Sequence, residues 1–336
     1  MVSFAKLNRY ARIFYDWQIR KNINLSSLPE EVSIEATNVC NFRCEFCPQS
    51  DPMHHEIVPR TYLSPENAKE IFRRLRSGGI LTRTLHWTLD GEPFMNRQFN
   101  ELCATAIEHG FDNMYFATNG MLLTPESIQK LPKGATYTFT IDYCADPGFF
   151  EEVRGTRGSW SRVRENIQEV LSDGKLQGFR FEIQDMSTFK ISDQEEINIR
   201  FRNLQNLFSD KYGRLKIFRK TFHNATGLVE KFVNMRKKNK YHLCPYPWTL
   251  LNVASNGDVV ACCRDLRRQT VLGNLFVQTL PEIWNGAAFQ QLRRNLVDRH
   301  PERSAVCNGC DLPYDDAKFS VRNLVRTAVG RLQVFH

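Results

Sequence analysis

The sequence predicts an α/β protein: a parallel sheet covered by helices, followed by a smaller cysteine-rich C-terminal region. Three observations predict it. From Glu31 to about Thr221, short β-branched or aromatic runs alternate with helical patterns, which gives six strand–helix units; such alternation with right-handed crossovers makes a parallel sheet. After Thr221 the alternation stops, and a second group of cysteines begins at Cys244. The 336 residues, 42% hydrophobic, suffice for one large domain with an appendage.

Taken in order, residues 4–18 place Phe4, Leu7, Ala11, Phe14 and Gln18 on one helical stripe with Lys6, Arg9 and Arg12 interspersed. This basic amphipathic helix is expected to pack on the outside of the main domain, the alternative being a peripheral membrane contact. Strands are expected at Glu31 to Ala36, Arg83 to Leu89, Asn113 to Ala117, Ala135 to Ile141, Phe179 to Gln184 and Leu215 to Phe218. Between them, Ser64-Pro65-Glu66 starts a helix with an N-cap and a first-turn proline. Further helices follow near 97–109, 124–131, 160–172 and 193–208. Functional loops belong at the C-terminal ends of such strands. Residues 222–243 are polar and basic and read as a connector. Leu250 to Ala254, the turn Ser255-Asn-Gly-Asp258 and Val259 to Cys262 read as a hairpin. Residues 313–336 carry Val321, Leu324, Val325, Ala328, Val329 and Leu332 at helical spacing and read as a final amphipathic helix. The expected boundaries are 1–30, 31–221, 222–243, 244–312 and 313–336.

The start Met1-Val-Ser-Phe-Ala-Lys lacks a secretory signal, and no apolar run has the length of a membrane span, so a cytoplasmic location is expected. In that compartment ten cysteines point to metal ligation over disulfides. The balance of 45 Lys and Arg against 37 Asp and Glu gives a net charge of +8. That favours anionic partners such as a phosphorylated or carboxylated substrate or an acidic redox protein, and a basic surface serving only solubility is the plain alternative. No nucleic-acid-binding motif is present, and no nucleic-acid partner is expected.

The run Cys40-Asn-Phe-Arg-Cys44-Glu-Phe-Cys47-Pro leaves a loop just after the first strand. Three thiolates at this spacing close on three corners of a [4Fe–4S] cube and leave one iron without a protein ligand. The competing reading is a Cys3His zinc site completed by His54 or His55.

These cysteines and the motifs downstream of them resemble the radical S-adenosylmethionine (SAM) superfamily over roughly residues 31–312. The resemblance implies an open partial (β/α)6 TIM barrel in which the free iron chelates the methionine moiety of SAM. Reductive cleavage then yields a 5′-deoxyadenosyl radical that abstracts hydrogen from a C–H bond. Asp90-Gly91-Glu92-Pro93 stands at the end of the second strand where the family has two glycines before Glu-Pro, with Asp90 replacing the first. By resemblance, Gly91, Glu92 and Pro93 hold the methionine amino group, a contact suited to a carboxylate facing an ammonium. Thr118 and Asn119, before Gly120, fall where polar groups meet the SAM ribose. Val153-Arg154-Gly155 resembles a loop that carries an arginine near the cofactor carboxylate, the alternative being a solvent-facing Arg154. Asp142 is a candidate at the cofactor or substrate rim, or a loop cap. Cys144, two residues on, either faces substrate or packs, and Cys103 reads as core.

The second cysteine set comprises Cys244, Cys262, Cys263, Cys307 and Cys310. Four thiolates complete a [4Fe–4S] cube or bind zinc, and spacing alone does not separate the two. The stretch 244–310 resembles the shortened SPASM, or twitch, domain with one auxiliary [4Fe–4S] cluster. Leu272-Gly-Asn-Leu275, Leu280-Pro-Glu-Ile283-Trp284-Asn285 and Phe289-Gln-Gln-Leu292-Arg293 carry that likeness, with the butirosin-type aminocyclitol dehydrogenases nearest. A full SPASM domain needs three more downstream cysteines. None follows Cys310, so two [4Fe–4S] clusters and SAM are the expected cofactors. Adjacent strand residues point to opposite sides, so one of Cys262 and Cys263 ligates; family spacing selects Cys262. That leaves Cys263, like Cys144, as a candidate hydrogen donor or a buried small hydrophobe.

The function expected from this resemblance is hydrogen abstraction from a polar substrate, preferably a sugar or aminocyclitol, with oxidation to a ketone through the auxiliary cluster. The alternatives are an epimerase using Cys263 or Cys144, a peptide-modifying radical enzyme, and, in a different class, a non-catalytic metal-binding interaction protein. A flavodoxin- or ferredoxin-like electron donor is the expected protein partner.

Overall fold

The computed structural model describes residues 4–176, 178–228 and 240–315, with side chains from Asn8 onward. Nine strands form one open sheet: β1 (Glu31–Ile34), β2 (Thr84–Trp87), β3 (Asn113–Thr118), β4 (Thr136–Tyr143), β5 (Phe179–Asp185), β6 (Leu215–Arg219), β7 (Leu250–Val253), β8 (Asp258–Val260) and β9 (Val271–Asn274). Their order is β6-β5-β4-β3-β2-β1-β7-β8-β9. β1 to β6 pair in parallel in chain order, each linked to the next by helical crossovers, as the sequence predicts for a mixed α/β partial barrel. Each expected strand lies within two residues of its observed bounds.

The sheet has two chemically different faces. Leu85 and Trp87 of β2 register with Val32 and Ile34 of β1, and the Trp87 ring meets Phe72 of helix Pro65–Ser77 at 6.2 Å. On the same side Phe116, Phe139 and Phe181 of successive strands stack at 4.9 and 5.7 Å. This face lies under the helices and is apolar. The alternate residues, Ser33, His86, Tyr115, Thr138 and Arg180, register with one another across β1 to β5 on the other, concave face. A parallel sheet buried on both sides reads as continuous apolar runs. Here the alternation, and an exposed Ala117 in the middle of the sheet, mark the concave face as open to solvent.

The C-terminal region is not a detached unit. β7 pairs in parallel with β1, Glu31 opposite Leu250 and Ser33 opposite Asn252, and the antiparallel β7–β8–β9 meander extends the main sheet. The third strand, β9, falls on Leu272-Gly-Asn, which sequence reading took only as a family motif.

At the N-terminus the expected stripe is corrected. Helix Phe4–Phe14 runs into a π-helical turn, Tyr15–Ile19; the buried face falls on Ile13, Asp16 and Trp17, spaced i, i+3 and i+4, while Ala11 and Phe14 are exposed. The following segment packs on the C-terminal region, not on the outside of the main domain alone. Trp248 and Trp284 donate their indole N–H groups to the carbonyls of Asn22 and Ser27, at 2.8 and 2.9 Å. Arg293, fully buried, donates to the carbonyls of Ile23, Pro247 and Trp284 at 3.0, 2.9 and 2.7 Å and lies over the Trp284 ring. Replacing Arg293 by Ala leaves three buried carbonyls without their donor. It should cost about 3–5 kcal/mol of stability, read as a lower urea midpoint; an unchanged midpoint would show that the staple is unnecessary. Residues 316–336 of the expected C-terminal helix and half of the expected connector, residues 229–239, lie outside the described residues.

Candidate functional site

The loop between Ala36 and Pro48 carries three free thiols, of which Cys44 is buried and Cys40 and Cys47 half-buried. Two glycines let neighbouring loops reach it. Gly91 at φ +73° lies against the Thr37 carbonyl, and a Cβ there would stand 2.8 Å from the Asn38 carbonyl carbon. Gly155 at φ +63° lies against the Arg43 carbonyl, where a Cβ would stand 2.9 Å from its carbon. Both conformations suit glycine alone. The loop backbone is then pinned by Glu92 N–H to the Val39 carbonyl and by Arg43 and Glu45 N–H to the carbonyls of Arg154 and Val153.

Glu92 is buried and joins the ends of β2 and β3. Its carboxylate accepts from Thr118 Oγ1 at 2.8 Å, Asn119 N–H at 2.6 Å and Phe94 N–H at 3.3 Å. Burial raises its pKa, and the Asn119 and Thr118 hydrogen bonds oppose that shift. Three of about four lone-pair sites are filled, so one remains for an ammonium. Thr118 and Asn119 do not stand free toward a ribose, as expected from sequence. Thr118 serves Glu92, while Asn119 Nδ2 donates to Asn41 Oδ1 at 2.6 Å and approaches Cys40 Sγ at 3.8 Å.

Arg154 is not solvent-facing and not in a loop. It ends helix Pro147–Arg154, is 4% exposed, and lies over the Phe42 and Phe46 rings. Its NH1 reaches Asp142 at 3.4 Å, and its buried Nε has no hydrogen-bond partner. Asp142 also accepts from Lys220 Nζ at 2.7 and 2.8 Å. The carboxylate is therefore already matched by two cations and orients Arg154, a positioning part and not the direct ligand expected. Burial pushes all three thiols up, Cys40 to about 12 with Glu92 adding to the shift, while the nearby Arg154 charge pulls Cys44 down. Loading with metal must release these protons.

Asp90, the departure from the family pattern, forms a buried network. Its carboxylate takes Gln49 Nε2 at 2.8 Å, Gly91 N–H at 2.9 Å and His54 Nε2 at 2.7 Å. His54 is thus held by Asp90, away from the role of fourth zinc ligand.

At the other end of the sheet, Cys244, Cys262, Cys307 and Cys310 line one cavity, together with Tyr246 and Arg264. Cys263 does not line it; burial pushes its thiol up, the Arg264 charge opposes that, Glu31 at the start of β1 adds to it, and Tyr246 donates a hydrogen bond to it. Buried Arg264 holds the rim, donating to Asp311 at 2.6 Å and approaching Cys310 Sγ at 4.0 Å. Asn224, beyond β6, donates to the Gly309 carbonyl at 2.6 Å and ties the barrel to this rim. Among the described residues no three His, Cys, Asp or Glu side chains are arranged around a single ion; a cube takes each thiolate on a different iron and needs no such convergence.

Cys144 is corrected. It is 1% exposed, and its thiol turns to the Asp146 carbonyl at 3.4 Å, so it packs in the core and faces no chamber. Cys103 is core, as read.

The two cysteine sites lie at opposite ends of the sheet. Cys40 follows the C-terminal end of β1, whereas Cys262, two residues beyond Val260, is level with Leu250 at the N-terminal end. Between them runs the polar row Asn252, Ser33, His86, Tyr115, Thr138 and Arg180. His86 and Tyr115 stack at 5.1 Å, and Asn252, fully buried, leaves both amide atoms without a partner. None of these was singled out from sequence. The period-2 alternation in Thr84-Leu-His-Trp87 and in Arg180-Phe-Glu-Ile-Gln184 is the signal that marks them.

Residues 34–175 match the profile of the radical SAM superfamily, and residues 244–311 that of the SPASM iron–sulfur cluster-binding domain. The chain thus carries a radical SAM domain followed by an SPASM domain, whose cofactors are SAM and two iron–sulfur clusters. The S-adenosyl-L-methionine-dependent 2-deoxy-scyllo-inosamine dehydrogenase of Niallia circulans is 28% identical over 88 residues, 26% of this chain and 34% of that protein. A probable GTP 3′,8-cyclase of Sulfolobus acidocaldarius is 32% identical over 146 residues, 43% of this chain and 44% of that protein. The chain therefore matches less than half the length of these relatives. In fold it is similar to the crystal structure of BtrN in complex with AdoMet and 2-DOIA, with a TM-score of 0.60 and 19% identity over 85% of this chain and 94% of that one. Among the described residues no helix is long and apolar enough to cross a membrane.

Proposed function

We propose that this protein is a radical SAM oxidoreductase that removes hydrogen from a C–H bond of a polar substrate held on the concave face and oxidises an alcohol carbon to a ketone. One observation carries this reading: a row of polar side chains, buried at Asn252, Ser33 and Thr138, partly open at His86 and Tyr115 and exposed at Arg180, runs between the three-cysteine site and the four-cysteine cavity. When bound, SAM and the first cluster supply a 5′-deoxyadenosyl radical, and the second cluster supplies an acceptor for the substrate's electron.

The chain's own residues do the rest. The Arg154 Nε–H is a buried donor with no partner, suited to a carboxylate, and Asp142 with Lys220 fixes its direction. Glu92 offers its remaining lone pair to an ammonium. Phe42 and Phe46 cover Arg154 and exclude water from the cysteine loop, which strengthens these charge contacts. On the concave face, His86, Tyr115, Thr138 and Thr140 present hydrogen-bonding groups to substrate hydroxyls. A flavodoxin- or ferredoxin-like protein would deliver the reducing electron.

A second reading, epimerisation, draws support from Cys263, whose thiol lies outside the four-cysteine cavity beside Glu31. Product formed in D₂O separates the two. A ketone without solvent deuterium is expected; deuterium at the reacting carbon with no ketone would replace dehydrogenation by hydrogen return from Cys263. Before that, the iron-loaded protein with dithionite and SAM should release 5′-deoxyadenosine and methionine. No release from fully loaded protein would end both readings.

A further inference from the structure

The carboxylates near the upper part of the concave face are already matched. Glu182 meets Lys216 at 3.6 Å and takes the Thr140 hydroxyl at 3.3 Å, Asp142 holds Lys220 and Arg154, and Glu35 holds Arg268 at 2.8 Å. Arg180, in register with Thr138 and two residues before Glu182 on β5, has neither an ion pair nor a hydrogen bond among the described residues. It stands on the concave side because Phe179 and Phe181 take the apolar side, where they stack on Tyr137 and Phe139. Lys216, on the neighbouring strand, is opposite Glu182 and is exposed beyond its long contact with it. Glu31, on the lower edge of β1, lies by Cys263 at the other side of the face. The β5–β6 side of the concave face therefore carries an unmatched positive charge.

We infer that Arg180, assisted by Lys216, anchors an anionic oxygen group of the substrate, a phosphate or a carboxylate, on the β5–β6 side of the concave face. This rests on the proposed function for the chamber and sharpens its substrate class. Guanidinium recognises such groups by paired N–H donors. An ammonium-bearing ring would meet repulsion at the same place and find each of Glu35, Glu182 and Asp142 occupied. The sequence alternation Arg180-Phe-Glu-Ile-Gln184 is what delivers both the cation and its neighbouring matched carboxylate to one face.

The test uses iron-loaded full-length protein under anaerobic conditions and two probes, orthophosphate followed by ³¹P line width and acetate followed by ¹³C line width. Saturable binding of at least one probe is expected, weakened about tenfold or more in Arg180→Gln, less in Lys216→Gln, and largely kept in Arg180→Lys. The probe that binds identifies the group. Arg202→Gln, on the outer helix Gln194–Leu207, should bind like the parent chain. Binding of neither probe, or binding indifferent to Arg180→Gln, overturns the inference. Iron content of each variant guards against misfolding, since Arg180 is exposed and its loss should leave about eight iron per chain. Cleavage of SAM, measured on the same preparation without substrate, reports separately: anion binding without cleavage would sink the proposed function and leave the anchor standing, and cleavage without anion binding would do the reverse.

Discussion

Replacing Cys44 by Ala should lower the iron of reconstituted protein from about eight to about four per chain and reduce 5′-deoxyadenosine formation to background. Cys44 is the buried member of the three-cysteine loop, and its carbonyl takes the Cys47 N–H at 2.9 Å. Two remaining thiols leave two irons of a cube without protein ligands. Changing a residue that merely orients a metal ligand commonly costs about 10–100-fold, so loss of a ligand should cost more, about a thousandfold or beyond. The four-cysteine cavity lies at the far end of β1 and should keep its iron. Cys103→Ala is the matched control: that thiol is fully buried in the core, and its loss should cost stability while leaving iron and cleavage in place. Full iron or full cleavage in Cys44→Ala would remove the three-cysteine site from the chemistry.

The second large effect separates two adjacent cysteines. Cys262→Ala should strip the C-terminal cavity, leaving about four iron per chain, while 5′-deoxyadenosine still forms at the first site. Cys263→Ala should hold about eight iron. Adjacent strand residues face opposite sides; Cys262 lines the cavity with Cys244, Cys307 and Cys310, and Cys263 does not. Loss of a ligand forfeits the metal-binding free energy that holds the four cysteine-bearing segments together, so Cys262→Ala should also unfold at lower denaturant. The reverse outcome, iron lost with Cys263 and kept with Cys262, would exchange their roles and end the case for Cys263 as a hydrogen donor.

Much of the fold was legible because local chemistry and global fold agree. Ser64-Pro65 caps and starts its helix as written, with the Ser64 hydroxyl accepting from Asn67 N–H, and β-branched and aromatic runs mark all six barrel strands. Cys40, Cys44 and Cys47 announce their site by spacing, since ligands of one cluster sit within one loop. The mistaken or missing details have identifiable causes. The N-terminal stripe through Ala11 and Phe14 is out of phase with the buried one: Ile13 and Trp17, four residues apart, take the core side, a choice set by tertiary packing. Cys144 reads as a rim thiol from its place after β4, and only its burial and the turn of its thiol to the Asp146 carbonyl at 3.4 Å show it turned inward. Arg154 was placed in a loop although Pro147 begins its helix, because the run to Gly155 is too short to show clear periodicity.

By itself the sequence determined the α/β class, the six strand–helix units, the two cysteine sets, and the choice of Asp-Gly-Glu-Pro at the end of β2, because each is written in spacing over a few residues. Tertiary structure alone decided what those pieces do to one another. It set β7 beside β1, so that the second cysteine set closes the end of the sheet opposite the first. It gave Asp142 two cations and left Arg180 without a carboxylate partner, and it folded His54 onto Asp90. Contacts of this kind join residues far apart in the chain, such as Asp142 with Lys220 or Asn224 with Gly309, and their energies depend on burial and distance, which no local pattern encodes.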